Sequence, residues 1–188
     1  GTIIASFQSG AVSYLYYAER VYQINLALAG IAVGTVSLPA LSKSIKSKNY
    51  FKIFNIQNKS IQLSLLLSIP ASLGLILASD EIVNGLFGYG SFTSGDVEIT
   101  SRALSFFGYG VIAFALIKIL SNFFFARDNT KVPFYISSLI VLLNVFISLS
   151  FFNQIGFLII PIATSISTWI GVVIFLYILI RTNFINFK

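Results

Sequence analysis

The chain has 188 residues, 56% hydrophobic and 10% charged, with 12 Lys and Arg against 6 Asp and Glu and with no Cys, His or Met. Soluble proteins carry about 25% charged residues, so this composition, with a mean hydropathy of +0.89, excludes a soluble globule and predicts an all-α, polytopic transmembrane helical bundle. Without Cys there is no disulfide framework; without His the commonest general base and metal ligand is missing, and no cofactor is expected.

In chain order, residues 1–8 read as the tail of an earlier spanning helix, with Ser9 and Gly10 as a turn. Because a complete translation product opens on Met and this chain opens on Gly1, it reads as a fragment of a longer protein, cut at both ends. One transmembrane region over 1–188 is expected, with helices at about 11–41, 60–79, 103–126, 134–152 and 156–180: five complete spans, each near the 20 apolar residues that a 30 Å hydrocarbon core requires. Pro39 marks the end of the first of these. Lys43, Lys46, Lys48, Lys52 and Lys59 then lie in a polar loop, and Pro70 predicts a kink in the next helix. The segment Asp80–Arg102 is polar and turn-rich, and Thr93, Ser94 and Asp96 suit a helix N-terminus. Arg127–Pro133 is a basic turn, Asn153 and Gln154 an uncharged one.

Basic residues occupy alternate connections: Lys43–Lys59, then Arg127 and Lys131, then Arg181 and Lys188. The positive-inside rule places these in the cytoplasm and Asp80–Arg102 outside. The net charge of +6 is therefore a topology signal, and no nucleic-acid partner is expected.

The candidate site lies at the head of the second helix, where Ser13–Arg20 reads SYLYYAER. A charge at the bilayer centre is unfavourable by about 2.5–3.5 kcal/mol, so one retained there lines a cavity or is paired. From Tyr16, helical steps pass through Arg20, Gln23, Ala27, Gly30 and Gly34, a face polar at its head and small below. Gly30 and Gly34 have the GxxxG spacing that allows close helix approach. Two readings of Arg20 and Glu19 stand side by side: a cavity lining, or an interfacial tyrosine belt with Arg20 snorkelling to the headgroups. Lys118, two thirds along the fourth helix, has the same two readings. The glycine-rich LFGYGSFTSGD is no phosphate loop, since no Lys-Ser/Thr follows it.

Four stretches, SYLYYAER, GTVSLPALSKS (Gly34–Ser44), LFGYGSFTSGD (Leu86–Asp96) and FFARDNTKVP (Phe124–Pro133), resemble in order and spacing the MurJ (MviN) family of lipid II flippases. That family belongs to the wider multidrug/oligosaccharidyl-lipid/polysaccharide exporter superfamily. The resemblance implies part of a two-lobe exporter fold, from the end of its seventh helix through its twelfth, in the bacterial cytoplasmic (inner) membrane. It implies export of the lipid-linked peptidoglycan precursor, lipid II, by alternating access, with membrane lipids and the remaining lobe of the polypeptide as partners. Peptidoglycan biosynthesis, cell-wall biogenesis and cell shape follow from that role. The family's cavity arginine falls on Arg20; Glu19, Gln23 and Lys118 join it as expected substrate-binding residues. Family members commonly have Pro where this chain has Asn25, and many a basic residue where it has Tyr89.

Other functions fit less well. A drug/cation antiporter of the same superfamily wants a carboxylate at mid-depth, and Glu19 lies near one end. An integral-membrane glycosyl- or phosphotransferase wants paired acids or His. A non-transporting scaffold leaves the charge near Arg20 unexplained.

Overall fold

The computed structural model describes residues 2–182, and Lys188 lies outside them. Its helices are α1 (Thr2–Ala5), α2 (Ala11–Leu26), a π-helical turn (Ala27–Ala32), α3 (Val33–Lys46), α4 (Tyr50–Leu77), α5 (Ser79–Phe87), α6 (Ser94–Gly108), α7 (Val111–Phe125), α8 (Lys131–Ile155), a 3₁₀ turn (Gly156–Leu158) and α9 (Ile159–Arg181). Three stretches among the described residues are long and apolar enough to cross a membrane: Ala11–Lys46, Tyr50–Leu77 and Lys131–Arg181; the pair Ser94–Gly108 and Val111–Phe125, bent by 41°, reaches that length only jointly. The stretch Lys131–Arg181 is a hairpin. Gly156 takes φ 71°, and α9 folds back along α8, with Asn144 Nδ2 donating to Thr164 Oγ1 at 2.8 Å.

The packing is that of a protein dissolved in lipid. On α4 the buried positions are Gln57, Ser60, Ser64, Ser68 and Ser72, flanked by Ile53 and Leu75, while Leu63, Leu66, Leu67, Leu73 and Leu77 face outwards. Lipid tails are as apolar as leucine, so small residues that admit close helix contact belong inside. Two apolar clusters fill the bundle. One joins Ala11, Leu15, Leu75, Leu104, Phe107 and Ile159 at the acidic end. The other joins Leu41, Ile53, Phe124, Ile136 and Leu179 at the basic end. The lysine- and arginine-bearing connections thus gather at one end, as their alternation in the sequence predicts.

Several boundaries differ from the sequence reading. Pro39 lies inside α3 instead of ending it. Lys52 and Lys59 are helical, because α4 begins at Tyr50 with Asn49 as its N-cap, the Asn49 side chain accepting from Lys52 N. Much of Asp80–Arg102 is helix, in α5 and the start of α6. Asn153 and Gln154 continue α8, and the reversal falls at Gly156. The expected helix at about 103–126 is broken at Tyr109–Gly110. A break frees carbonyls that lipid cannot satisfy, and side chains of neighbouring helices take them. Ser165 Oγ donates to Phe106 O at 2.7 Å, Ser72 Oγ to Gly108 O at 2.8 Å, and Trp169 Nε1 to Tyr109 O at 2.9 Å.

Candidate functional site

The head of α2 is held by the loop between α5 and α6. Thr93 caps α6 through a capping box with Asp96: Thr93 N donates to Asp96 Oδ2 at 2.8 Å, and Asp96 N to Thr93 Oγ1 at 3.3 Å. The same Asp96 accepts from the Tyr14 hydroxyl at 2.7 Å. Tyr17 packs against Phe87 at the end of α5 and Phe92 of the loop, with ring centroids 4.8 and 5.4 Å away. Two of the three tyrosines are therefore committed to protein. The third, Tyr16, lies beneath Arg20, whose guanidinium carbon is 4.6 Å from the ring centroid. Such a cation–π contact is worth about 0.5–1 kcal/mol at an exposed site, and it leaves the N–H donors available.

Arg20 and Gln23 are exposed, and Glu19 on the adjacent bearing is half-buried. Below them the stripe turns. The exposed positions continue through Ala27, Ile31 and Thr35, whereas Gly30 and Gly34 are buried. The π-helical turn takes more residues per turn than an α-helix, so a stripe extrapolated at 3.6 residues per turn drifts off the exposed face. The glycines instead pack on α7. A Cβ on Gly30 would lie 3.4 Å from Ala115 Cα and from Lys118 Cγ, and Asn122 Nδ2 donates to Gly34 O at 2.9 Å. Asn25, half-buried, donates back to Val21 O within an unbroken helix.

Lys118 is exposed and lies level with Gly30, so it is about 15 Å along the helix axis from Arg20. With Asn122 it lines a groove of about 270 Å³ shared with Ile31, Thr35 and Leu38. The same two residues line a larger groove of about 700 Å³ between α7 and α8, with Ser121, Lys131, Tyr135 and Ser137. The two grooves meet at Lys118 and Asn122, and the exposed positions Arg20, Gln23, Ala27 and Ile31 descend α2 towards them. Lys118 lines both grooves, whereas Arg20, Gln23 and Glu19 line neither. None of Glu19, Arg20 and Lys118 forms an ion pair, the one salt bridge among the described residues being Arg102–Glu98. Sequence reasoning passed over Asn122 as a site residue. Its signal is the spacing Lys118, Ser121, Asn122 (i, i+3, i+4), a polar stripe on an apolar helix. At the basic end, burial lowers the Arg127 pKa from its ordinary value, and its Nη1 donates to Phe123 O at 2.6 Å.

The whole chain, residues 1–188, matches the family model described as "Lipid II flippase MurJ". It is 38% identical over 173 residues to a probable lipid II flippase MurJ of Rhizobium tropici, covering 92% of this chain and 32% of the relative. To that of Rickettsia prowazekii it is 39% identical over 166 residues, covering 88% and 33%. A solved structure, "Lipid II flippase MurJ, inward closed conformation", superposes with a TM-score of 0.86 at 31% identity, covering 96% of this chain and 39% of that one. The chain spans about a third of the length of these curated relatives. Its composition, its helical order and the motifs at the head of α2 agree with these likenesses, and the chain belongs to the MurJ family of lipid II flippases.

Proposed function

We propose that this chain is part of a flippase that carries the lipid-linked peptidoglycan precursor, lipid II, across the bacterial cytoplasmic membrane by alternating access, without catalysing a covalent step. Family membership supplies the substrate class. The observation that carries the reading here is an exposed stripe on α2 that starts at Arg20 and leads to the grooves lined by Lys118 about 15 Å deeper, neither cation paired with a carboxylate. A diphosphate moving through the membrane needs successive cationic contacts, and a guanidinium grips phosphate oxygens bidentately while staying charged at low dielectric. Tyr16 holds the Arg20 side chain across its ring, Gln23 adds a neutral hydrogen-bonding group one turn further, and Glu19 flanks the grip. The basic end then faces the cytoplasm, and the stripe closes against the remaining lobe of the polypeptide.

The test is Arg20→Ala and Arg20→Lys in the full-length protein, with precursor accessibility at the outer face and membrane protein level as readouts. Arg20→Ala is expected to abolish export with insertion intact, and Arg20→Lys to restore it partly. A headgroup-snorkelling arginine would tolerate both changes, so normal export by well-inserted Arg20→Ala overturns the assignment.

A further inference from the structure

We propose that the groove between α3 and α4 binds one anionic glycerophospholipid from the leaflet at the basic end of the molecule. The groove encloses about 460 Å³, and its walls are Val33, Val36 and Ala40 of α3 and Ile56, Leu63 and Leu67 of α4, with Lys59 among them. Ile56 to Leu67 spans about 16 Å, half of a 30 Å hydrocarbon core, which is the depth of one leaflet. Leu63 and Leu67 are 50% and 46% exposed and belong to the outward leucine face with Leu66, Leu73 and Leu77. The groove thus opens where α4 meets lipid, on a different side of α3 from the face that carries Thr35 towards Lys118.

Charge selects the occupant. On α4 the steps Lys52, Ile56, Lys59, Leu63, Leu67 follow one helical stripe, basic at its head and apolar below. On α3 the steps Lys43, Ala40, Val36, Val33 do the same from the other side. Lys43, Lys52 and Lys59 are all exposed, the groove lining contains no carboxylate, and no described residue forms an ion pair with these lysines. An apolar slot one leaflet deep, with Lys59 in its lining and Lys52 and Lys43 one helical step beyond it on α4 and α3, matches an acyl chain joined to a negatively charged headgroup. This inference is independent of the transported substrate.

The experiment uses the full-length protein with added phosphatidylglycerol or, as the zwitterionic reference, phosphatidylcholine, and counts retained lipid by native mass spectrometry. Wild type is expected to retain phosphatidylglycerol preferentially. Each of Lys43→Gln, Lys52→Gln and Lys59→Gln should weaken that preference about fivefold, the factor equivalent to about 1 kcal/mol per basic residue near an anionic surface. Lys59→Arg should keep it, and Ala40→Phe, which fills the slot, should remove the bound lipid. Absence of preference in wild type overturns the proposal, as does a preference that survives the triple Lys→Gln variant. Tighter retention of a polyprenyl diphosphate than of phosphatidylglycerol reassigns the groove to the transported substrate. Cross-linking of Leu63→Cys to another helix of the full chain shows that protein fills the groove. Either result also overturns the proposal.

Discussion

The molecule interrupts two of its long helices, and it manages the interruptions in opposite ways. At Tyr109–Gly110 the break between α6 and α7 is a 41° bend whose freed carbonyls are taken by Ser72 of α4 and by Ser165 and Trp169 of α9. At Ala27–Ala32 the helix continues through a π-helical turn, where Thr35 Oγ1 donates to Ala32 O at 2.9 Å within the same helix. The bend is fixed from outside by three donors in an apolar medium where an unpaired carbonyl is unfavourable. The π turn satisfies itself, and its consequence is geometric: it swings Gly30 and Gly34 onto α7 and leaves Arg20, Gln23, Ile31 and Thr35 on the exposed stripe. One interruption builds the scaffold. The other aims the site.

The same substitution at the two places separates them most strongly. A Cβ on Gly108 would lie 2.9 Å from Ile76 Cγ1 and 3.3 Å from the Ile76 backbone nitrogen, whereas on Gly30 the nearest atoms are at 3.4 Å. Gly108→Ala is expected to destabilise by about 1–3 kcal/mol through overpacking. Gly30→Ala should be near neutral, since the added contact is ordinary and alanine gains up to about 1 kcal/mol of helix propensity. Thermal unfolding of the full-length protein in detergent measures both, and equal shifts would erase the distinction.

Removing a donor at the bend is the next largest effect. Polar contacts between membrane helices are worth about 0.6 kcal/mol on average and up to about 1.7. Ser165→Ala should fall at the upper end, because Phe106 O then has no partner in lipid, and Ser72→Ala should behave alike at Gly108 O. Ser165→Cys, a weak donor of similar size, should recover part of the loss. If Ser165→Ala unfolds with the wild-type midpoint, the bend does not depend on its donors.

The smallest effects belong to the π turn. Asn122→Ala removes the hydrogen bond to Gly34 O and should destabilise by about 0.6 kcal/mol, yet reduce precursor export more than Ser165→Ala does, because Asn122 lines both grooves beside Lys118. Thr35→Ala, exposed and bonded only to its own helix, should stay within about 0.5 kcal/mol. Export unchanged in Asn122→Ala with Lys118 intact would show that the exposed stripe ends above α7.

The amino-acid sequence by itself determined the solvent, the helix class and the gathering of basic connections at one end. These follow from hydropathy and from the positions of lysine and arginine, which act locally along the chain. It also determined the cap at Thr93, because a capping box is satisfied within four residues, and it placed Arg20 at the head of a membrane-length helix. The tertiary structure alone decided where helices break and where faces turn. Gly108 and Gly110 are ordinary helix residues until Ser72, Ser165 and Trp169 arrive from distant positions to take the carbonyls. Pro39 reads as a stop by propensity, yet it lies exposed inside α3, a helix that packs along α4 and α7. The stripe from Tyr16 to Gly34 assumed 3.6 residues per turn throughout, and a single π turn, with Gly30 against Ala115 and Lys118 and Gly34 against Asn122, rotated its lower half into the protein. Periodicity is a property of one helix, whereas which residues of ALAGIA lie buried shows only against the helix it packs on, here α7 at Gly30.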